Sequence, residues 1–577
     1  MIIKNSISFF KDFECSIKFK IKGIEEEIFS NLIVNNGGLA RLKSESGGLR
    51  YIINGMPLSE NEKERFSGRS NSKRYVFVDC GVSGPYIYPN YIIEGVEEES
   101  YTGIEVSLTG FSSWFDTDTS YEITDTGFKK DLPDKSFDEV VNIDGCKYRI
   151  SSNGCVDVEN IKARDFLVSE YTTIKILKVN GTISEADAKK LANDMRKLFS
   201  LLLGYPLALE YVWLLVETTH IRRPLYFPAQ GSDKDPFDNK IDCIISSSYL
   251  HSNDGWKKIF KNYYSNPTQG RFHKIWGVLP TLFDYNGIWE YELLGYISVL
   301  DAYTDKVSKK YRKKLDEDVY AQLISKLTGV IDIFHKEIGA DYDEIISSFK
   351  NGVGGIKNTN LPTFREKFNS VFSGENKNIL DILDFDNDDF SALLKIRNSA
   401  AHGNPVATKS DFDLNFECRL NSKLKSILFY LVYLDFGFTS MEFFEFISRT
   451  FNRTIKGAGV SEYKLDGILG CEDFYEFCDL DLLEVSKTNK INIAVEVDEE
   501  SGIYKFNRQI TDEIWKWMSS IEKEHSNMED HVQAFLNASG SNRVKYIARS
   551  YVFCGEKHIQ INGMCLITFE KELEKTL

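Results

Sequence analysis

The chain has 577 residues, with 70 Lys and Arg against 86 Asp and Glu, a formal charge of −16. That balance excludes a protein that coats nucleic acid non-specifically, because neutralising phosphates takes a basic surface, so any nucleic-acid site must be local. Apolar residues make up 42%, charged residues 27% and aromatic residues 13%, which excludes a disordered chain and permits large cores.

The opening MIIKNSISFFKDFECSIKF has no uninterrupted apolar run and carries Asp12 and Glu14 early, so it does not read as a secretory signal. Residues 1 to about 180 read as β-rich. RYVFVDC (74–80), PYIYPNYII (85–93), GIEVSLTGF (103–111) and TTIKILKV (172–179) are β-branched and aromatic, and Gly-rich breaks such as NGG (36–38) and SGG (46–48) separate segments of this kind. This spacing predicts a sandwich or curved sheet rather than βαβ units. Ser184, followed three residues on by Asp187, starts a helix expected to run to about Leu203. A Gly-Tyr-Pro break and a buried strand from Leu207 to Val216 follow. Gly204, Pro206 and Glu210 interrupt the apolar stretch 198–216, so it is not expected to span a membrane.

The polar stretch Gln230 to Asn239 is a boundary zone, closing a first domain over 1–240. From Trp256 to Arg449 the period turns helical, predicting an all-α bundle of five or six helices over 256–450. The tail, 456–577, mixes strands (INIAVEVD, VKYIARSYVF, HIQINGMCLITF) with one helix at 511–524. The fold class is therefore α+β and multidomain: a β-rich N-terminal region, a helical bundle and a small mixed α/β C-terminal region.

Ten cysteines contain no C-x-x-C pair, and the nearest two, Cys471 and Cys478, are too far apart for a zinc knuckle. Reduced thiols in a cytoplasmic protein are expected. No H-E-x-x-H, P-loop or G-x-S-x-G occurs. The glycines of GVGGIK (from 352) lack a following G-K-[ST] and read as a flexible loop. Nothing calls for a metal or a cofactor.

One string stands apart: Ala392-Leu-Leu-Lys-Ile-Arg397-Asn398-Ser-Ala-Ala-His402-Gly403-Asn-Pro405. Phe390, Leu393, Leu394 and Arg397 share a helical face, so the guanidinium projects from the apolar side. Asn398 and His402 are about 40° apart on an ideal helix and stack on one face. Gly403 and Pro405 supply the helix end. A helix that merely finishes on a histidine would look similar, since positive groups are favoured at that end. The string R-N-x-x-x-H within a helical region resembles the signature of HEPN-superfamily nucleases, which Arg397, Asn398 and His402 match. Upstream, GYISVLDAYTDK (295–306) resembles the early HEPN helix with its acidic residue, here Asp301. Asp301 shares a face with Leu294 and Ile297 and should need a partner, for which Arg397 is a candidate. The layout over about 1–450 is similar to ApeA-type anti-phage HEPN proteins; the tail departs from it.

The resemblance implies metal-independent RNA cleavage, in which a ribose 2′-OH attacks the adjacent phosphate to leave 2′,3′-cyclic phosphate and 5′-OH ends. It implies Arg397, Asn398, His402 and Asp301 as catalytic residues, and a homodimer through the bundle whose composite site takes Arg397 and His402 from both chains. A role in abortive infection, triggered by a phage-derived signal, follows from the same likeness. Lys306, Lys309, Lys310, Arg312, Lys313 and Lys314 could hold RNA phosphates, or form a solvated helix face compensated by the acidic run at 315–318. Lys257, Lys258, Lys261, Arg271 and Lys274, interleaved with Trp256, Phe260, Tyr263, Tyr264, Phe272 and Trp276, are a second cationic and aromatic cluster, for which core packing is the alternative. A different class stays open: a non-catalytic HEPN scaffold or nucleotide- or RNA-binding module.

Overall fold

Apolar and polar residues alternate in the first strands, and pairing between these strands closes a ring. The computed structural model describes residues 7, 9–19, 27–44, 65–70, 72–83, 86–96, 99–115, 120–124, 127–131, 136–162, 165–219, 221–229, 231, 236–283, 289–307, 315–356, 358, 362–401, 414–470, 473–498, 501–520, 527–537, 542–555 and 557–569. The ring strands are β1 (Phe13–Phe19), β2 (Ile28–Val34), β3 (Ala40–Ser44), β4 (Arg65–Arg69), β5 (Arg74–Ser83) and β6 (Tyr86–Glu94). Their order is β6-β3-β2-β1-β4-β5, and β5 pairs back onto β6 to make an antiparallel barrel. Ile17, Phe19, Leu32, Val34, Leu42, Tyr75 and Phe77 are among its buried side chains. The NGG at 36–38 makes the β2–β3 turn, with Gly37 at φ 62; the SGG at 46–48 lies outside the described residues.

The second half of β6 continues into a curved sheet. Ile92 and Ile93 pair with Tyr226 and Leu225 of the strand Arg222–Tyr226, and Leu209–Val216, Tyr101–Leu108, Asp165–Lys178, Cys146–Lys162 and Asp138–Ile143 follow in that order. Ile104, Val106, Ile174, Ile176, Val212 and Leu214 are buried, and the helix Glu185–Leu203 packs on this sheet. Its N-terminus carries the full Ser184/Asp187 capping box, and Gly204 ends it in the left-handed region at φ 78. A side chain at Gly204 would also meet Ile244 Cδ1 at 2.6 Å. Glu105, 2% exposed, accepts from two nitrogens of Arg222 (2.7 and 2.5 Å), from Asn153 (3.0 Å) and from the Thr173 hydroxyl. A buried carboxylate is tolerated only with such partners.

Aromatic packing runs without a break from the sheet into the helices. Trp256 lies 4.5 Å from Phe137 and 5.9 Å from Trp114, centroid to centroid, and the Trp114 indole donates to the Ile245 carbonyl at 2.8 Å. Tyr433 donates to the Leu202 carbonyl, and Trp276 donates to buried Asp435 at 2.6 Å. Trp256, Phe260, Tyr263, Tyr264, Phe272 and Trp276 are all buried, so these aromatics are core and not a base-stacking platform. Residues 1–380 with 385–458 form one compact unit; 381–384 with 459–577 form a second.

From Gly255 to Arg449 the described residues hold eleven α-helical segments, not five or six. Several are single turns joined by tight bends, which blur a periodic reading. Gly352, Val353 and Gly354 are the last turn of the helix Asp343–Gly354, not a flexible loop.

In the second unit, strands Asp473–Glu476, Ile491–Asp498, Ile503–Asn507, Asn542–Cys554 and Lys557–Phe569 form one mixed sheet. Two separate apolar clusters, one around Val485, Ile493 and Met564 and another around Ile514, Val532 and Cys565, pack helices against it. The expected helix at 511–524 is Arg508–Ser519, and Glu462–Leu469, Asp479–Ser486 and Met528–Asn537 are further helices.

Glu442 offers a stability test within the first unit. It accepts from the Thr439 N–H at 2.7 Å, and from the Lys258 ammonium and Tyr249 hydroxyl at 2.9 Å each. Burial pushes its carboxyl up, but the Thr439 N–H, Lys258, Tyr249 and the Thr439 hydroxyl together hold it below its ordinary value. A depressed carboxylate contributes stability above its unfolded pKa and loses it as pH falls through the folded one. Glu442→Gln is expected to lower the melting temperature at neutral pH, with the difference vanishing in acid. Thermal melts that differ equally at both pH values would show that the charge contributes nothing.

Candidate functional site

The motif helix, Asn387–Ala401, begins where the Asp386 carboxylate accepts from the N–H groups of Asp388 and Asp389 at 2.8 and 2.9 Å. Phe390, Ala392, Leu393 and Ile396 are buried and fix its rotation. Two ion pairs then hold it lengthwise. Near its start, buried Asp389 meets buried Lys423 of the helix Leu414–Asp435 at 2.7 Å. Two turns on, Arg397 Nη2 donates to Asp301 Oδ2 at 2.7 Å. Asp301 stands on the helix Trp289–Val307, itself tied to Leu414–Asp435 by Glu292 and Lys425 at 2.7 Å. Three helices thus form a braced triangle.

A fourth helix, Phe364–Val371, completes the surroundings of Arg397. The guanidinium lies over the Phe364 ring, 5.2 Å from its centroid, and Phe364 stacks on Phe390. Lys367 Nζ is 3.2 Å from both Asp301 and Asp305. Asp301 therefore sits between two cations, with its side chain 22% exposed against 37% for Arg397. Nε and Nη1 of Arg397 have no hydrogen-bond partner among the described residues. The arrangement is a fixed, half-exposed guanidinium, oriented by a carboxylate and a ring and with N–H groups left to donate. Such a group can hold a phosphate oxygen.

Asn398 is exposed beside Arg397. His402 lies outside the described residues, as do Lys309, Lys310, Arg312, Lys313 and Lys314; of Lys306 only the backbone, in the last turn of Trp289–Val307, is described. Lys367 and Phe364 were not singled out from the sequence. Their one signal is the T-F-R-E-K run, whose Thr363 and Glu366 form a capping box and so start a short helix on which Phe364 and Lys367, three residues apart, share one face. Among the described residues no cluster of three His, Cys, Asp or Glu side chains could hold a metal ion, and no helix is long and apolar enough to cross a membrane.

These features define a protein in which a β-barrel and curved sheet share a core with a helical region that carries an anchored, half-exposed arginine. Residues 14–263 match the family described as ApeA N-terminal domain 1. The match bears out, over this part of the chain, the resemblance to ApeA-type anti-phage proteins. It takes in the barrel, the curved sheet and nearly all of the helix Gly255–Tyr264, whose Trp256 and Phe260 pack on Phe137. No curated protein and no solved structure matches the chain.

Proposed function

We propose that this protein is a metal-independent endoribonuclease of HEPN type that acts in anti-phage defence by cutting RNA. The observation that carries the reading is the Arg397–Asp301 pair, joining two helices of the bundle and holding the guanidinium half exposed, five residues before His402. In the proposed reaction the ribose 2′-OH attacks the neighbouring phosphorus and the bond to the 5′-oxygen breaks. A histidine moves protons readily near neutrality, which assigns that role to His402. Arg397 donates to the phosphorane oxygens, where fixed donors are worth most as charge builds. Asp301 and Lys367 are positioning residues that keep the guanidinium plane in place, and Asn398 orients His402 or a phosphate oxygen.

One motif offers one histidine, whereas acid and base roles are two. A homodimer bringing two motif helices together supplies both. The cations from Lys306 to Lys314 come next in sequence after Asp301 and Asp305, and the binding of RNA phosphates is assigned to them. The β-rich region is assigned the sensing of a phage-derived trigger.

A second reading is a scaffold in which Arg397 serves only to staple two helices, since the Asp301 contact alone would account for it. Incubating purified protein with total cellular RNA in EDTA separates the two. The nuclease reading expects new 5′-OH and 2′,3′-cyclic phosphate ends, lost in Arg397→Ala. Wild-type protein that is toxic on expression yet leaves RNA intact, or an Arg397→Ala variant that cuts as well as wild type, would overturn it.

A further inference from the structure

We propose that the cleft between the segment 240–252 and the end of the helix Ser440–Arg449 binds a nucleoside monophosphate, with its phosphate on Arg449 and Lys240 and its base against Tyr249 and Ile241. The cleft has a volume of about 430 Å³, within the usual size of a small-molecule site. Trp114, Cys243, Ile244 and Phe446, all buried, make its floor. None of its lining residues belongs to the four helices around Arg397.

The walls are fixed before any ligand arrives. The Thr450 hydroxyl donates to the carbonyls of Ile241 and Cys243 at 3.2 and 2.8 Å, and the Phe451 N–H donates to the Ile241 carbonyl at 2.9 Å. These bonds fasten the segment to the helix end. The Trp114 indole, on the helix Phe111–Phe115, holds the same segment at Ile245. Tyr249 is held twice: its hydroxyl donates to Glu442, and its ring meets Phe446 edge-on with centroids 4.7 Å apart. A site built in advance loses little to ordering when it is filled.

The lining selects the occupant. Arg449 and Lys240 are exposed at the cleft and no carboxylate lines it, in a chain whose charge is −16. Arg449 has no hydrogen-bond or ion-pair partner among the described residues. Two carboxylates close by in sequence are already engaged, Glu442 with Tyr249 and Lys258, and Asp242 with the Asn239 N–H at 2.9 Å. The helix dipole favours a cation in a last turn, which accounts for Arg449 but not for Lys240 on a separate segment. A guanidinium with its N–H groups left over suits a phosphate. Hydroxyls stand in the same lining: that of Ser248 has no partner among the described residues, and that of Ser246 accepts from the Tyr249 N–H at 3.3 Å and keeps its hydrogen to donate. Ile241 is 53% exposed and Tyr249 half-buried, which supplies apolar surface. An anion, a hydroxylated middle and a flat ring match these three features together. A fatty acid lacks the middle, and inorganic phosphate lacks the ring.

The inference does not rest on the nuclease reading, because binding is measured without RNA and Arg397→Ala is expected to bind as wild type does. Calorimetric titration of the full-length protein with AMP, GMP, CMP and UMP should show binding of at least one, with a rise in melting temperature. Arg449→Met should weaken that binding by about tenfold or more, as loss of a charge-assisted hydrogen bond does. Adding Lys240→Met should abolish it. Ser248→Trp, at an exposed position, should block the cleft while leaving the melting temperature of the unliganded protein unchanged. Inorganic phosphate and the uncharged nucleosides should bind roughly tenfold more weakly or worse. The assignment is overturned if no nucleotide binds at millimolar concentration, or if Arg449→Met and Ser248→Trp bind as wild type does. Inorganic phosphate bound as tightly as the nucleotide, or binding lost in Arg397→Ala, would also overturn it.

Discussion

Replacing His402 by alanine is expected to reduce RNA cleavage by about 10²–10⁴-fold, the usual contribution of a positioned acid–base group. The argument runs through its neighbours. The motif helix is pinned at Asp389 and again at Arg397 and runs on to Ala401, the residue before the histidine. Phosphoryl transfer to an internal nucleophile needs a proton removed from the 2′-OH and another delivered to the leaving 5′-oxygen. Arg397 keeps its charge and can do neither. Initial rates on RNA in EDTA, with thermal melts alongside, give the comparison. A variant that folds normally and no longer cuts supports the assignment. A folded His402→Ala protein that cuts at the wild-type rate removes His402 from the chemistry and with it the proposed mechanism. Mixing wild-type with His402→Ala chains then tests the composite site: if one site takes a histidine from each chain, mixed dimers lose activity and the rate falls below the wild-type share.

The sequence carries its local features well and its long-range ones poorly, and the residues show why. The Ser184/Asp187 start, the Gly204 stop and the strand after it are written within about thirty residues, through capping and left-handed backbone. Asp301 and Arg397 each stand on an apolar helical face, so a pairing between them could be expected before it was seen. Lys367, which shares Asp301, could not, because nothing on its own helix distinguishes a cation that turns toward a carboxylate 66 residues away. The barrel shows the same limit. Alternation in β5 and β6 marks them as strands, but its closure depends on β4 pairing with both β1 and β5, and pairing partners are not encoded in a strand's own period. The aromatics from Trp256 to Trp276 fit a stacking platform or a core equally by type. Only their burial decides for a core.

The second large effect concerns stability and follows from the pair at the start of the motif helix. Asp389 and Lys423 are 2.7 Å apart with side chains only 5% and 9% exposed. Removing one member of a buried pair strands the other's charge in a poorly solvated place, at a cost of about 3–5 kcal/mol, whereas replacing both with neutral groups of similar size is often close to neutral. Lys423→Met is therefore expected to destabilise the protein by about that amount, and Asp389→Asn combined with Lys423→Met to recover most of it. Chemical denaturation of the four proteins in the cycle measures the coupling; a double variant as unstable as the single would show that Lys423 acts through its other contacts. The same cycle bears on catalysis. Arg397 lies eight residues beyond Asp389, about two turns along one rigid helix, so any freedom gained at the first anchor is passed to the second. If the double variant is stable yet cuts RNA more slowly per folded molecule, the buried pair serves to aim Arg397. If it cuts at the wild-type rate, Asp301 and Lys367 position the guanidinium by themselves.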